Sequence, residues 1–94
     1  MRVQAQVSIY PLRTKALTMQ VREFCHILED SGLYVEMQSM SSIIIGESKT
    51  VFLAVEQAFR MLAVSHDVVM DLKVSNACPD INRRRPRKRE KKTQ

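Results

Sequence analysis

Ninety-four residues, 45% hydrophobic and 27% charged, allow one small globular domain. Two cysteines are too few for a disulfide framework. No apolar run reaches the length of a membrane span and the first residues lack a signal-peptide pattern, so a cytoplasmic location is expected. The net charge of +5 is unevenly placed. Residues 79–94 hold eight Lys or Arg against Asp80 and Glu90, leaving seven basic against eight acidic side chains in residues 1–78. The expected organisation is therefore a folded domain over 1–79 and a basic, disordered tail over 80–94.

The first element is a strand. In residues 2–10, Val3, Ala5, Val7 and Ile9 form one face and Gln4, Gln6, Ser8 and Tyr10 the other. Pro11 is expected to stop it, because proline cannot donate to a central ladder. Thr14 is placed to cap a helix whose stripe is Leu17, Val21, Phe24, Cys25 and Leu28. Cys25, on that stripe, reads as a buried free thiol. Gly32 can adopt the left-handed conformation that closes the helix. Next come a strand at Val35–Met37, a polar turn through Gln38, Ser39, Ser41 and Ser42, and a β-branched run, Ile43–Ile45, suited to packing on both sides. Gly46 is expected to end that strand. Ser48 is a candidate N-cap for a second helix with the stripe Phe52, Val55, Phe59 and Leu62, joined by Val51 and Ala58. A last strand, roughly 67–75, puts Val68, Met70, Leu72 and Val74 on one face and Val69, Asp71, Lys73 and Ser75 on the other.

The order β-α-β-β-α-β with right-handed crossovers predicts an α+β, ferredoxin-like sandwich. It has a four-stranded antiparallel sheet in the order 4-1-3-2 and both helices on one face. The first and third strands are then central and antiparallel. Ser8, Tyr10 and Pro11 should lie beside the hairpin tip, Ser39–Ser42, while Gly46, Glu47 and Ser75–Pro79 gather at the opposite end. The helix-free face should present Gln4, Gln6, Ser8, Tyr10, Tyr34, Glu36, Gln38, Asp71, Lys73 and Ser75.

Three readings of that polar face stay open. It can be the wet side of an antiparallel sheet. Its outer strands can pair with a second copy of the chain, since Leu33–Met37 is guarded by a single charge. Or it holds a small polar ligand through amides, hydroxyls, the flat ring of Tyr10 and the carboxylate of Glu36. An enzyme is not expected. His26 follows Cys25 directly and neighbours in a helix do not face each other, His66 reads as a helix-end cation, and no cluster has metal-ligand spacing. RNA-recognition domains share the predicted topology, but their sheets stack bases on aromatic residues, where this chain has Ile43, Ile44 and Ile45. Nucleic acid could instead meet the basic run 83–92 in a salt-sensitive, sequence-blind way.

Several segments, in order, resemble the YkoF-like thiamine-binding family. They are Val7-Ser8-Ile9-Tyr10-Pro11-Leu12, Gly32-Leu33-Tyr34-Val35-Glu36, Met40-Ser41-Ser42 with Gly46-Glu47, and Ser75-Asn76-Ala77-Cys78-Pro79. The likeness spans about residues 3–79. It implies the same sandwich, homodimers or homotetramers built through sheet edges or faces, and binding of thiamine or its hydroxymethylpyrimidine half without chemistry on the ligand or a further cofactor. Ser41-Ser42 match the family's ligand-associated segment, and Ser8, Tyr10 and Pro11 its first-strand motif. Departures are Ser42 for the usual Thr, Gln38-Ser39 for a frequent Gly-Pro, and Arg13 for a frequent Gly. Arg13 precedes a helix N-terminus, where it could help hold a phosphate; an exposed surface arginine is the plainer reading. The expected ligand residues are Gln6, Ser8, Tyr10, Glu36, Ser41 and Ser42, with Glu36 facing a cation or an aminopyrimidine.

Overall fold

Alternation in the first strand becomes a core-facing row in the computed structural model, which describes residues 1–77. Val3, Ala5, Val7 and Ile9 are all buried on one side of β1 (Arg2–Pro11). The remaining elements are α1 (Leu17–Asp30), β2 (Tyr34–Met37), β3 (Ser42–Glu47), α2 (Ser48–Ala63) and β4 (Val68–Ser75). The sheet is antiparallel throughout, in the order β2-β3-β1-β4, which is the expected order read from its other edge. The core lies between the sheet and both helices, where Phe24, Leu28, Ile44, Val51 and Leu62 join the β1 row. Burying each of these large side chains contributes about 1.5–3 kcal/mol, which is what holds the helices to one face. Cys78 and the expected tail, 80–94, lie outside the described residues.

Pro11 does not stop β1 but closes it, opposite Val68 of β4. It is tolerated because β3 pairs with β1 only as far as Val7, so Pro11 has a ladder partner on one flank alone. Gly46 likewise lies within β3, opposite Val3. A side chain there would collide with Leu33 Cδ2, so this glycine serves close packing and not chain reversal. Gly32 is the reverse case: its φ is +90° with open space around it, so conformation alone demands glycine.

Neither expected hydroxyl caps its helix. Thr14 Oγ1 accepts from the Ala16 N–H at 3.2 Å, tightening the turn before α1, whose N-cap is Ala16. Glu47 is the N-cap of α2 and Ser48 its first residue, with the Ser48 N–H donating to the Met1 carbonyl at 2.8 Å. The core stripe of α2 is Val51, Ala54, Val55, Ala58 and Leu62. Phe52 was expected in it but is half exposed, because one residue step turns the helix by about 100° away from Val51. Ile44 and Ile45 are both fully buried although they point to opposite faces, as the β-branched run suggested. No helix of the described residues is long and apolar enough to cross a membrane.

Candidate functional site at the hairpin tip

Residues 38–41 turn tightly between β2 and β3, closed by the Gln38 N–H donating to the Ser41 carbonyl at 2.8 Å. Because β3 runs antiparallel to β1 with Ser42 opposite Val7, this tip comes to lie beside the end of β1, as the topology required. Two side chains of β1 fasten it. Ser8 Oγ donates to the Met40 carbonyl at 3.2 Å, and Gln6 Nε2 donates to Ser41 Oγ at 3.1 Å.

Beneath the tip, between the end of the sheet and the first turns of α1, is a cleft of about 430 Å³. Its floor is apolar: Val7 and Ile9 from β1, Val21 and Phe24 from α1, with Leu17 at the mouth. Ser8, Ser39, Ser41 and Ser42 set hydroxyls around it, and Gln38, Met40, Tyr10 and Pro11 complete the rim. No lining side chain carries a formal charge. Leu17 shows that the space is a gap in the core. It falls on the same helical stripe as Phe24 and Leu28, which are buried, yet it borders the cleft and is 50% exposed.

Ser42 is the buried polar residue of the described core, at 4% exposure. It points toward the helices, and its Oγ lies 3.3 Å from Cys25 Sγ. Burial pushes the Cys25 thiol above its ordinary range, with the nearby Glu29 carboxylate acting the same way and the Ser42 hydrogen bond acting against it. A protonated thiol is a weak partner, so the Ser42 hydroxyl keeps hydrogen-bonding capacity on the side of the cleft.

Of the six expected ligand residues, Ser8, Tyr10, Ser41 and Ser42 line this cleft. Gln6 stands one layer off, on the helix-free face, and holds Ser41. Glu36 is not brought in. It pairs with Ile43, which pairs with Gln6, so it stands two strands away from β1, about 10 Å across the ladder. Its Oε1 accepts from the Tyr34 hydroxyl at 3.2 Å. Arg13 is also engaged elsewhere, in a surface ion pair with Asp67, next to the Leu12 N–H bond to the Asp67 carbonyl. Its φ of 56° lies in the left-handed region that favours glycine. Leu17, Val21 and Phe24 were read from periodicity as core alone. The missing signal is which of them lies past the end of the sheet, and only the fold supplies it.

The chain is thus an α+β sandwich with a hydroxyl-rimmed, uncharged cleft under its β2–β3 tip. The chain belongs to the YKOF-related family, whose model matches residues 2–81. Among solved structures it is similar to a hypothetical protein from Methanocaldococcus jannascii, at 25% identity and a TM-score of 0.75, over 83% of this chain and 82% of that one. A domain of unknown function from Bacillus cereus aligns at 19% identity and a TM-score of 0.72, over 85% of each chain. A Thermotoga maritima protein provisionally assigned to thiamine biosynthesis or salvage aligns at 15% identity and a TM-score of 0.73, over 82% of this chain and 85% of that one. No curated protein matches the chain.

Proposed function

We propose that the protein binds thiamine, or its hydroxymethylpyrimidine half, in the cleft under the hairpin tip and does not transform it. The observation that carries this reading is an apolar floor, including the Phe24 ring, bordered by hydroxyls and free of formal charge. An aminopyrimidine has matching chemistry, with two apolar faces and an edge of alternating donors and acceptors. Membership of the YKOF-related family and the thiamine assignment of the Thermotoga maritima relative support the same ligand. Binding without catalysis is part of the proposal: among the described residues the hydroxyls of Ser8, Ser41 and Ser42 meet the Met40 carbonyl, the Gln6 amide and the Cys25 thiol, none of them a carboxylate or an imidazole. Self-association goes with this reading, since among the described residues β2 and β4 are the edge strands of the sheet.

Isothermal titration with hydroxymethylpyrimidine, thiamine and thiamine diphosphate, on the full chain and on a Ser41→Ala, Ser42→Ala variant, tests the reading. Saturable binding that is lost in the folded variant is expected. No heat from any of the three ligands on folded protein would refute the proposal.

A further inference from the structure

At the hairpin tip the cleft shares a wall with the helix-free face. Ser8, Tyr10, Met40 and Ser41 line the cleft and also border a shallower hollow of about 290 Å³ on that face. The hollow is closed on its far side by β4, which adds Asp71 and Lys73. Register places Asp71 across from Ser8 and Lys73 across from Gln6. The carboxylate is therefore nearer the tip, and the ammonium stands two pairs further along, about 7 Å down the strand. Among the described residues neither takes part in an ion pair, although Arg13, Arg60 and the amino group of Met1 each do.

The two hollows thus differ in kind while sharing a wall. An uncharged ring is at home in the first. A cation is not, because taking it from water into an apolar-floored cleft without a counter-charge is costly. Once across the tip it meets the half-exposed Tyr10 ring, whose face attracts a cation, and then the Asp71 carboxylate before the Lys73 ammonium. We propose that Asp71 receives the cationic part of a two-part ligand whose uncharged ring occupies the cleft, with the ligand passing over the hairpin tip beside Tyr10. This rests on the binding reading above and gives Asp71 the role that sequence reasoning gave to Glu36, which is separated from the tip hollow by β3.

Hydroxymethylpyrimidine and thiamine separate the two parts, since they share the ring and differ in the cationic thiazolium. On the full chain at low salt, thiamine binds about five- to tenfold more tightly than hydroxymethylpyrimidine, as exposed ion-pair and cation–π contacts allow. That advantage shrinks as salt screens the exposed charges. Asp71→Asn weakens thiamine by about threefold and leaves hydroxymethylpyrimidine unchanged. Exchanging the two charges, Asp71→Lys with Lys73→Asp, keeps the net charge but moves the carboxylate away from the tip, and the preference for thiamine is lost. Equal affinity of the full chain for the two ligands, or a preference left undiminished by either variant, would overturn the assignment of Asp71. Failure of hydroxymethylpyrimidine itself to bind refutes the cleft reading, and this proposal with it.

Discussion

Replacing Ser42 by alanine separates a binding role from a structural one. The side chain is buried, and among the described contacts its hydroxyl meets the Cys25 thiol at 3.3 Å. Deleting the hydroxyl forfeits a weak neutral hydrogen bond, about 0.5–1 kcal/mol. It also removes the cost of keeping that hydroxyl from water, about 1–3 kcal/mol on mutational scales. The terms oppose one another, so the net change in folding free energy is expected within about 1 kcal/mol of zero, less than about 8 °C in Tm for a domain of this size. Ligand binding has no such compensation. A ring donor or acceptor left facing a methyl group in a dry cleft loses about 1–3 kcal/mol, which is roughly 5- to 150-fold in Kd. Urea denaturation gives the first quantity and titration with hydroxymethylpyrimidine the second. A Kd within twofold of the parent, or a stability loss above about 3 kcal/mol, would show that Ser42 holds the scaffold and not the ligand.

Other substitutions test the surroundings of the site. Gly46→Ala destabilises by about 1–3 kcal/mol in urea denaturation, because the added methyl meets Leu33 in a filled core. Arg13→Gly is neutral to mildly stabilising: relief of a left-handed φ, about 1 kcal/mol, offsets an exposed ion pair worth at most about that much. A clear loss of stability in that variant would mean the Arg13–Asp67 pair holds the loop. The Cys25 thiol is raised above its ordinary value by burial, so folded and unfolded chains bind the same proton at neutral pH. Once the pH passes the unfolded thiol's value, only the unfolded chain releases it, and stability falls as the pH climbs toward the folded value. Cys25→Ala should flatten that alkaline limb of the stability profile, and an unchanged limb would show that other groups produce it. Deleting residues 80–94 should leave hydroxymethylpyrimidine affinity unchanged, whereas loss of binding by a folded truncated chain would put the basic segment in the site.

The framework of the site was legible in the sequence because strand periodicity and handed crossovers fix which strand ends are neighbours. That logic brought Ser8 and Tyr10 to the Ser41–Ser42 tip before any contact was known, and the fastening bonds from Ser8 and Gln6 bear it out. It could not place Glu36. Alternation says which face a side chain shares but not how many strands separate it from a given spot, and one intervening residue, Ile43, puts the carboxylate out of reach. Nor could it see the cleft floor. Leu17, Val21, Phe24 and Leu28 give a single helical stripe, and nothing in their spacing tells a residue over the sheet from one beyond its end. The polar features were misjudged for a related reason. Thr14 and Ser48 sit where caps belong, but the chain takes its first helical turn two or three residues later in one case and one residue earlier in the other. Turns one residue long decide such matters, and the one before α1 leads into Leu17 at the mouth of the cleft. A variant that moved the start of α1 by a residue would rotate Leu17 by about 100° off the stripe and change the cleft without touching any hydroxyl on its rim.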